Sequence, residues 1–397
     1  MTNVLSPFFR LSAEDYMLKH KGDWRGYLAM MNGGSVNSSP FFRLLLKYYA
    51  ESMDSLESTD LKPCDLVMAL SVWGDEYIDR MLNYCFPSLL EPANIDALKS
   101  RDTVIFIHCR MSEMDKIISH ESVKSLSAHG IKIEIVTLSD DLINLIEPHA
   151  SHKYWHLGLT QSIHLQYAKR RRAAYHLLMP DHVYSEGFFE RLMGAGKDII
   201  THSSIPTVAA SAAAELDTYR GGVSIGVPPA RLMAMALKNM HGRMTPYLLT
   251  DANKYPSGHL IVMEGRERVH IMSPHQTLAW MSKEAIEHVP ERIFFTLDSE
   301  LDKIITKHNI YQPTSDDALV MLELSGDIRH SKRVEFDSVR LFKERFNAQI
   351  SEPRLRHLFC DGMDYPLCRS DIPDRPYLSD ADISKIKIDL KGAICFS

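Results

Sequence analysis

Short apolar runs alternate with longer amphipathic segments through the middle of this 397-residue chain. The first run, Leu66–Val72, is continuous and is followed by an amphipathic segment over residues 77–90. Apolar runs of this length without an alternating polar face are typical of strands buried on both sides of a parallel sheet. Helices between such strands cover the two faces of the sheet, so the pattern predicts an α/β fold with a mainly parallel sheet.

The same pattern sets the expected organisation of the chain. Residues 1–60 form a helical lead-in, residues 61–285 form the main domain, and residues 286–397 form a mostly helical accessory region that packs back onto the sheet. Further strands are expected over residues 104–107, 131–137, 175–179, 198–202 and 222–227, and helices over residues 114–126 and 157–171.

Composition narrows the class of protein. A hydrophobic content of 45% and a charged content of 24% are ordinary for a globular protein. The formal net charge of -6 argues against a nucleic-acid binder, which needs an excess of Lys and Arg. No apolar run approaches the roughly 20 residues that span a bilayer, and the first residues do not resemble a secretory signal. Six cysteines without a CxxC pair are expected to be reduced thiols, in a cytoplasmic protein.

The most informative segment is the apolar run 175–179, which stops at Pro180-Asp181-His182. Loops at the carboxyl ends of parallel strands form the crevice in which open α/β sheets bind ligands. A carboxylate at that place can hold Mg²⁺ or Mn²⁺ against a diphosphate. The alternative is that Asp181 serves only as an N-terminal acid or turn residue before the next helix.

Several segments taken together resemble a bacterial glycosyltransferase of the GT-A type. They are Leu66-Val67-Met68-Ala69-Leu70-Ser71-Val72-Trp73-Gly74-Asp75-Glu76, the helix ending in Pro87-Ser88-Leu89-Leu90, the strand Thr103–Arg110, and the segment 177–189 around Asp181. The resemblance covers roughly residues 60–285 and implies a Rossmann-like GT-A sheet. It also implies transfer of a sugar from a nucleotide-diphosphate donor to a hydroxyl of a glycan, protein or lipid-linked acceptor.

The resemblance implies roles for particular residues. The loop after the first strand, with Ser71, Trp73 and Gly74, would hold the base and ribose of the nucleotide. Asp181 stands where the family has a DXD motif that holds the metal and diphosphate. The remaining implied donor contacts are Arg110, next to the nucleotide, and Gln161 and His164, facing the diphosphate.

The chain departs from the family at the DXD motif, because Pro180-Asp181-His182 contains one acid only. His182 could replace the second ligand, since imidazole suits Mn²⁺ better than Mg²⁺. The late histidine of the family is expected at His275, with His270 second and His259 as a sugar or acceptor contact. The alternatives are structural histidines and an enzyme that uses no metal.

An inverting transferase needs a carboxylate that takes the proton from the acceptor hydroxyl. Asp217 is the first candidate because the glycines that follow allow a sugar to approach closely. The other candidates in this region are Glu215, Asp251 and Glu264. The alternative for each is a solvated loop acid, and a retaining mechanism would not need such a base.

Two charged or ligand-like runs have ordinary explanations. The cations of residues 169–172 complement a helix end in water, the alternative being a contact with phosphate or an acidic membrane surface. His149, His152 and His156 have zinc-like spacing, but Pro148 indicates a loop, and no carboxylate or cysteine nearby completes a ligand set.

The sequence therefore predicts a glycosyltransferase. The alternatives are a non-catalytic module of the same fold that binds carbohydrate or protein, and a nucleotidyltransferase.

Overall fold

The computed structural model describes most of the chain up to residue 249 and separate segments beyond it. The described residues are 3–5, 40–146, 150–249, 255–256, 260–264, 267–273, 276–289, 310–314, 316–326, 335–336, 363–368, 379, 381–384 and 386.

The strands are numbered in chain order. They are β1 (Asn3–Leu5), β2 (Leu66–Val72), β3 (Thr103–Arg110), β4 (Lys132–Leu138), β5 (Ala174–Leu177), β6 (His182–Tyr184), β7 (Ile199–His202), β8 (Ile205–Val208), β9 (Arg220–Gly221), β10 (Ser224–Ile225), β11 (Tyr255–Pro256), β12 (Leu260–Glu264), β13 (Arg268–Met272), β14 (Thr277–Met281), β15 (Ile310–Tyr311), β16 (Met321–Ser325), β17 (Glu335–Phe336) and β18 (Met363–Pro366).

The helices are numbered in the same way, and a π-helical turn at Met81–Cys85 joins the second to the third. They are α1 (Pro40–Ser58), α2 (Asp75–Arg80), α3 (Phe86–Leu89), α4 (Pro92–Lys99), α5 (Met114–Ser119), α6 (Glu121–Ala128), α7 (Asp140–Ile146), α8 (Ala150–Arg170), α9 (Phe188–Gly194), α10 (Ala209–Leu216), α11 (Pro229–Lys238) and α12 (Lys283–Ile286).

A central eight-stranded sheet organises the described part of the chain, with strand order β1-β4-β3-β2-β5-β14-β7-β15. Strands β1 to β5 pair in parallel, whereas β14 runs antiparallel to both of its neighbours. Every residue of β2 is buried, as its uninterrupted apolar sequence predicts for a strand covered on both faces. The predicted α/β class with a mainly parallel sheet flanked by helices is confirmed, and it is compatible with a Rossmann-like fold.

Side chains alternate between the two faces of β2 and feed two separate cores. Val67 and Ala69 pack in a core that includes residues of α1, α7 and α8. Leu66 and Met68 pack in the other core, with residues of α2 to α4, α6 and α9. Smaller sheets lie beside this unit, among them β6-β16-β8 and β12-β13-β18.

Several element boundaries differ from the prediction. Helix α8 begins at Ala150, two residues after Pro148, so the loop predicted around His152 and His156 was wrong. The predicted helix over 114–126 is two helices with a break at His120. The predicted strand over 222–227 is a two-residue strand, β10, in a hairpin with β9 outside the central sheet.

Strands from beyond residue 285 join the sheets of the main region. Strand β15 pairs with β7 in the central sheet, and β16 pairs with both β6 and β8. Most of residues 286–397 lies outside the described residues, so the predicted domain division and its mostly helical last region stay predictions.

One buried ion pair lies at the amino end of the central sheet. Arg171 Nη1 lies 3.0 Å from Glu134 Oε1, and both side chains are almost fully buried. Tyr167 donates its hydroxyl proton to the other carboxylate oxygen of Glu134, and Arg171 Nε donates to Cys64 Sγ. The prediction that the cations of residues 169–172 stay in water is therefore wrong for Arg171, because its guanidinium forms a buried ion pair with Glu134 on β4.

Candidate functional site

A cavity of about 330 Å³ opens at the carboxyl end of the central strands. The loop after β2 contributes Trp73, and the segment after β5 contributes Asp181. This is the edge at which open α/β sheets bind ligands. The residues that line the cavity are Leu70, Ser71, Val72, Trp73, Tyr77, Lys153, Leu157, Gln161, His164, Leu177, Leu178, Met179, Pro180, Asp181, His182, Arg243 and Glu323.

Two tight connections place these side chains. After β2 the chain turns at Gly74, whose φ of 82° belongs to the left-handed region that favours glycine. Gly74 N donates to Glu113 Oε1 at 2.8 Å, which fixes the turn that leads into α2. After β5, Pro180 and Asp181 lie between two buried strands, and the Asp181 carbonyl accepts a hydrogen bond from Leu324 N at 2.8 Å.

Asp181 is the buried acid of the cavity. The residue is only 9% exposed. Its Oδ1 atom is buried and has no hydrogen-bond partner among the described residues. Burial, together with the negative charge of Glu323, raises the pKa of this carboxyl to about 7, although Arg80 and Lys153 act in the opposite direction. A buried polar atom without a partner is rare in proteins and calls for a ligand, a water or an ion.

His182 and Glu323 face each other across β6 and β16. The two residues are register partners, and His182 Nδ1 is buried with no hydrogen-bond partner in the described structure. Burial lowers the pKa of His182 to about 4, so this imidazole is neutral at physiological pH. Glu323 Oε1 is already engaged, because it accepts hydrogen bonds from Arg243 Nη2 and from Ser325 Oγ, both at 2.7 Å.

Helix α8 presents one face to the cavity. Lys153, Leu157, Gln161 and His164 recur at spacings of three and four residues, which places them along one side of a helix. Lys153 Nζ donates to the hydroxyl of Tyr77 at 3.2 Å and lies 4.6 Å from the centre of that ring. The first turn of α8 therefore brings a cation to the wall of the cavity.

Three buried histidines lie behind that wall. His164 Nε2 and His108 Nδ1 are 2.7 Å apart, and His156 packs edge-on against Trp73 with ring centres 5.0 Å apart. Burial lowers the pKa of His164 and of His156 to about 3, so all the charge near this wall comes from other groups. His164 Nδ1 and both ring nitrogens of His156 have no hydrogen-bond partner among the described residues.

The structure brings together six of the residues named from the sequence: Ser71, Trp73, Gln161, His164, Asp181 and His182 all line this cavity. Ser71 Oγ donates to Thr160 Oγ1 at 2.9 Å, which ties the end of β2 to α8. Gly74 is next to a lining residue. Arg110 is not among the lining residues and lies at the end of β3, 3.9 Å from Asp140 Oδ1.

The acids named as candidate bases are not in this cavity. Asp217 lies in a separate, larger cleft beside α2, where its Oδ1 accepts from Arg220 Nη2 at 2.8 Å. Glu215 is bound by Lys238 and Asn239. Glu264 ends β12 opposite Arg268, and Asp251 lies outside the described residues.

The histidines expected late in the chain are not placed at the cavity. His270 lies in the small sheet on β13, with Nδ1 2.8 Å from Asp364 Oδ1. His275 and His259 lie outside the described residues. In the part of the chain that the structure describes, no group of three or more His, Cys, Asp or Glu side chains is arranged so that it could hold a metal ion.

Sequence reasoning missed Tyr77, Lys153, Arg243 and Glu323 as cavity residues. Lys153 had a usable signal, because it continues the helical spacing of Gln161 and His164 toward the amino end. Glu323 had none, since a long-range pairing of β16 with β6 brings it to the site. Arg243 had none either, since it lies outside both strands and donates to Glu323 at the site.

No protein-family model matches this chain, and no curated protein matches it. Among the described residues, no helix is both long enough and apolar enough to cross a membrane.

Proposed function

We propose that the protein is a glycosyltransferase of the GT-A type that binds a nucleotide-diphosphate sugar in the cavity beside Asp181. The observation that carries this proposal is the unpartnered, buried carboxyl oxygen of Asp181 at the carboxyl end of a parallel sheet. Ser71, Trp73, Gln161 and His164, which the family resemblance implies as donor contacts, line the same cavity. A volume near 330 Å³ lies within the range of small-molecule sites.

The side chains suit the parts of such a donor. Trp73 is half-buried at the cavity wall, where its ring offers an apolar face to a nucleotide base. Gln161 and His164 offer neutral hydrogen-bonding groups farther along α8. Asp181, with a pKa raised to about 7, is partly protonated at neutral pH and can donate a hydrogen bond to a phosphate oxygen.

The donor atoms present do not fit a divalent metal well. Asp181 offers one free oxygen and His182 one free nitrogen, whereas Mg²⁺ takes nearly all its ligands from oxygen. Glu323, the other described acid of the cavity, is held by Arg243 and Ser325.

In sugar transfer, the acceptor oxygen attacks the anomeric carbon, the bond from that carbon to the diphosphate oxygen breaks, and the proton of the acceptor hydroxyl passes to the departing diphosphate. The protein contributes by holding donor and acceptor in line and by stabilising the negative charge that develops on the departing diphosphate. Polar groups fixed in a half-buried cavity do this without reorganising during the reaction. The acceptor is a hydroxyl of a glycan, protein or lipid-linked molecule, and the contact with a lipid surface would be peripheral.

Turnover of UDP- and GDP-linked sugars, by transfer or hydrolysis, tests the proposal. Asp181→Ala is expected to lose most of the activity, because it removes the carboxyl and its contact with a phosphate oxygen. Asp115→Asn is the control, since it alters an exposed acid that does not line the cavity. Full activity in Asp181→Ala would contradict the assignment of the site.

A second candidate, a non-catalytic binding module, is favoured by one observation. Among the described residues of the cavity, no carboxylate apart from Asp181 is available as a base, because Glu323 is engaged. Such a module would bind a nucleotide or a sugar without turnover. A nucleotidyltransferase would instead turn over a nucleoside triphosphate in the same assay.

A further inference from the structure

Lys153 differs from the other cations beside the cavity. Arg243 pairs with Glu323, and Arg80 pairs with Glu76. Lys153 forms no ion pair with a carboxylate in the described part of the chain, and its ammonium group is held by the hydroxyl and ring of Tyr77. A cation that lines a cavity and is positioned by a neutral aromatic side chain keeps its charge available for an anionic ligand.

The acids of the cavity also leave the charge of Lys153 unpaired. Asp181 is the described cavity acid whose side-chain oxygen lacks a partner, and burial favours its neutral form. Glu323, the other acid that lines the cavity, is neutralised by Arg243. Lys153 forms an ion pair with neither of these acids in the described part of the chain, so its ammonium group is available to an anionic ligand.

The ligand atoms for a metal are few by comparison. The unpartnered atoms are one oxygen of Asp181 and one nitrogen of His182. The imidazole of His182 does not replace the second acid of a DXD motif for Mg²⁺, which prefers oxygen ligands. A diphosphate bound here would meet one ammonium group, several neutral donors and a carboxyl that can be protonated. That combination suits an anion without a metal.

We propose that Lys153 binds the diphosphate of the nucleotide donor and that this binding does not need a divalent cation. The inference rests on the proposed function, because it takes a nucleoside diphosphate as the ligand. Tyr77 then acts as a positioning residue, since its hydroxyl accepts a hydrogen bond from Lys153 Nζ and its ring lies under the ammonium group.

Calorimetry of the full chain with UDP and GDP, once in EDTA and once with Mn²⁺, tests this assignment. Wild-type protein is expected to bind one of these nucleotides equally well in both conditions. Lys153→Gln should weaken binding in EDTA roughly ten- to a hundredfold, the range for one lost charge-assisted hydrogen bond. Lys153→Arg, which keeps the charge, should restore part of the affinity, and Tyr77→Phe should give a smaller loss.

Lys169→Gln is the control, because it removes a lysine at the other end of the same helix, where Nζ donates to the Glu287 and Val289 carbonyls. Binding that requires Mn²⁺, or unchanged affinity in Lys153→Gln, would overturn the role of Lys153 and leave the proposed function standing. Failure of wild-type protein to bind either nucleotide in both conditions would overturn the proposed function and this inference together.

Discussion

The two ends of the central sheet differ in whether their buried polar groups have hydrogen-bond partners. At the amino end, Glu134, Arg171, Tyr167 and Cys64 form a closed network in which each side chain has a partner within the group. At the carboxyl end, Asp181 and the nearby histidines leave buried oxygen and nitrogen atoms without partners in the described structure. Since an unpartnered buried polar atom destabilises the folded state, the carboxyl end is the end with a reason to bind a ligand.

The amino end is therefore expected to govern the stability of the fold, and the carboxyl end is expected to govern ligand binding. A satisfied buried network contributes to the folded state and is expected to tolerate no loss of a member. Groups without partners contribute little or nothing to stability until a ligand meets them. Substitutions at the two ends should therefore have opposite effects on folding and on binding.

Acidification is expected to have the largest effect, and to originate at the carboxyl end. Burial lowers the pKa of His156 and His164 to about 3 and of His182 to about 4, while the unfolded chain takes up these protons near pH 6.5. Above that pH these histidines are neutral in both states, and as the pH falls toward the folded pKa values the folded state loses stability. Each histidine then costs about 1.4 kcal/mol per pH unit.

Unfolding free energy measured from pH 8 to pH 5 checks this expectation. His156→Phe, which keeps a ring beside Trp73, should make the pH dependence shallower. An identical slope in His156→Phe and wild type would contradict a buried, neutral His156.

Breaking the amino-end network comes next. Glu134→Ala leaves the buried guanidinium of Arg171 without its carboxylate and is expected to destabilise the fold by about 3–5 kcal/mol. Denaturant unfolding measures the loss, and nucleotide affinity per folded molecule should not change. A loss below about 1 kcal/mol would show that the pair is not buried as described.

Part of the fold and of the site could be predicted from the sequence alone. The strand Leu66–Val72 was predictable because an uninterrupted apolar run has few other places to lie than a buried sheet. Asp181 was predictable as a cavity residue because an acid that directly follows such a run reaches the sheet edge. The sequence does not reveal Lys153, because Pro148 indicates a loop at that point and the predicted helix spans 157–171, whereas α8 begins at Ala150.

Other contacts were beyond any local pattern. Glu134 and Arg171 are 37 residues apart, and nothing near either residue marks them as partners. Glu323 reaches the cavity through strand pairing with a segment more than a hundred residues earlier in the chain. Long-range pairings of this kind depend on the whole fold, so a linear pattern of apolar residues does not contain them.

Asp181→Asn should have a smaller effect on folding, with the sign opposite to that of Glu134→Ala. The pKa of Asp181 is about 7 in the folded state and 3.8 in the unfolded state, so the folded state binds more protons between these values. Stability contributed by this group therefore falls as the pH rises from 4 to 7 and stays low above 7. At pH 8 the variant should be more stable on the order of 1–3 kcal/mol.

Thermal and denaturant unfolding of both proteins, compared at pH 5 and pH 8, measure this difference. The gain should be larger at pH 8, because the buried carboxyl of Asp181 is mostly ionised there and mostly neutral at pH 5. The histidine contributions are common to the two proteins and cancel. Asp181→Asn that is less stable than wild type at pH 8 would show that the carboxylate has a stabilising partner.

The smallest effect is expected at Asp217, in the separate cleft. Its ion pair with Arg220 is largely exposed, so Asp217→Ala should change stability by less than about 1 kcal/mol. Nucleotide affinity should stay the same, because Asp217 does not line the cavity of Asp181. A fall in kcat with unchanged donor affinity would instead make Asp217 the base and the cleft an acceptor site.

The most direct test is a crystal structure of the chain in complex with UDP or GDP. We expect the nucleotide in the cavity between the loops that follow β2 and β5, with its diphosphate within hydrogen-bond distance of Lys153 or Asp181. A nucleotide bound elsewhere on the molecule, or a cavity that stays empty at a saturating concentration of both nucleotides, would contradict this expectation.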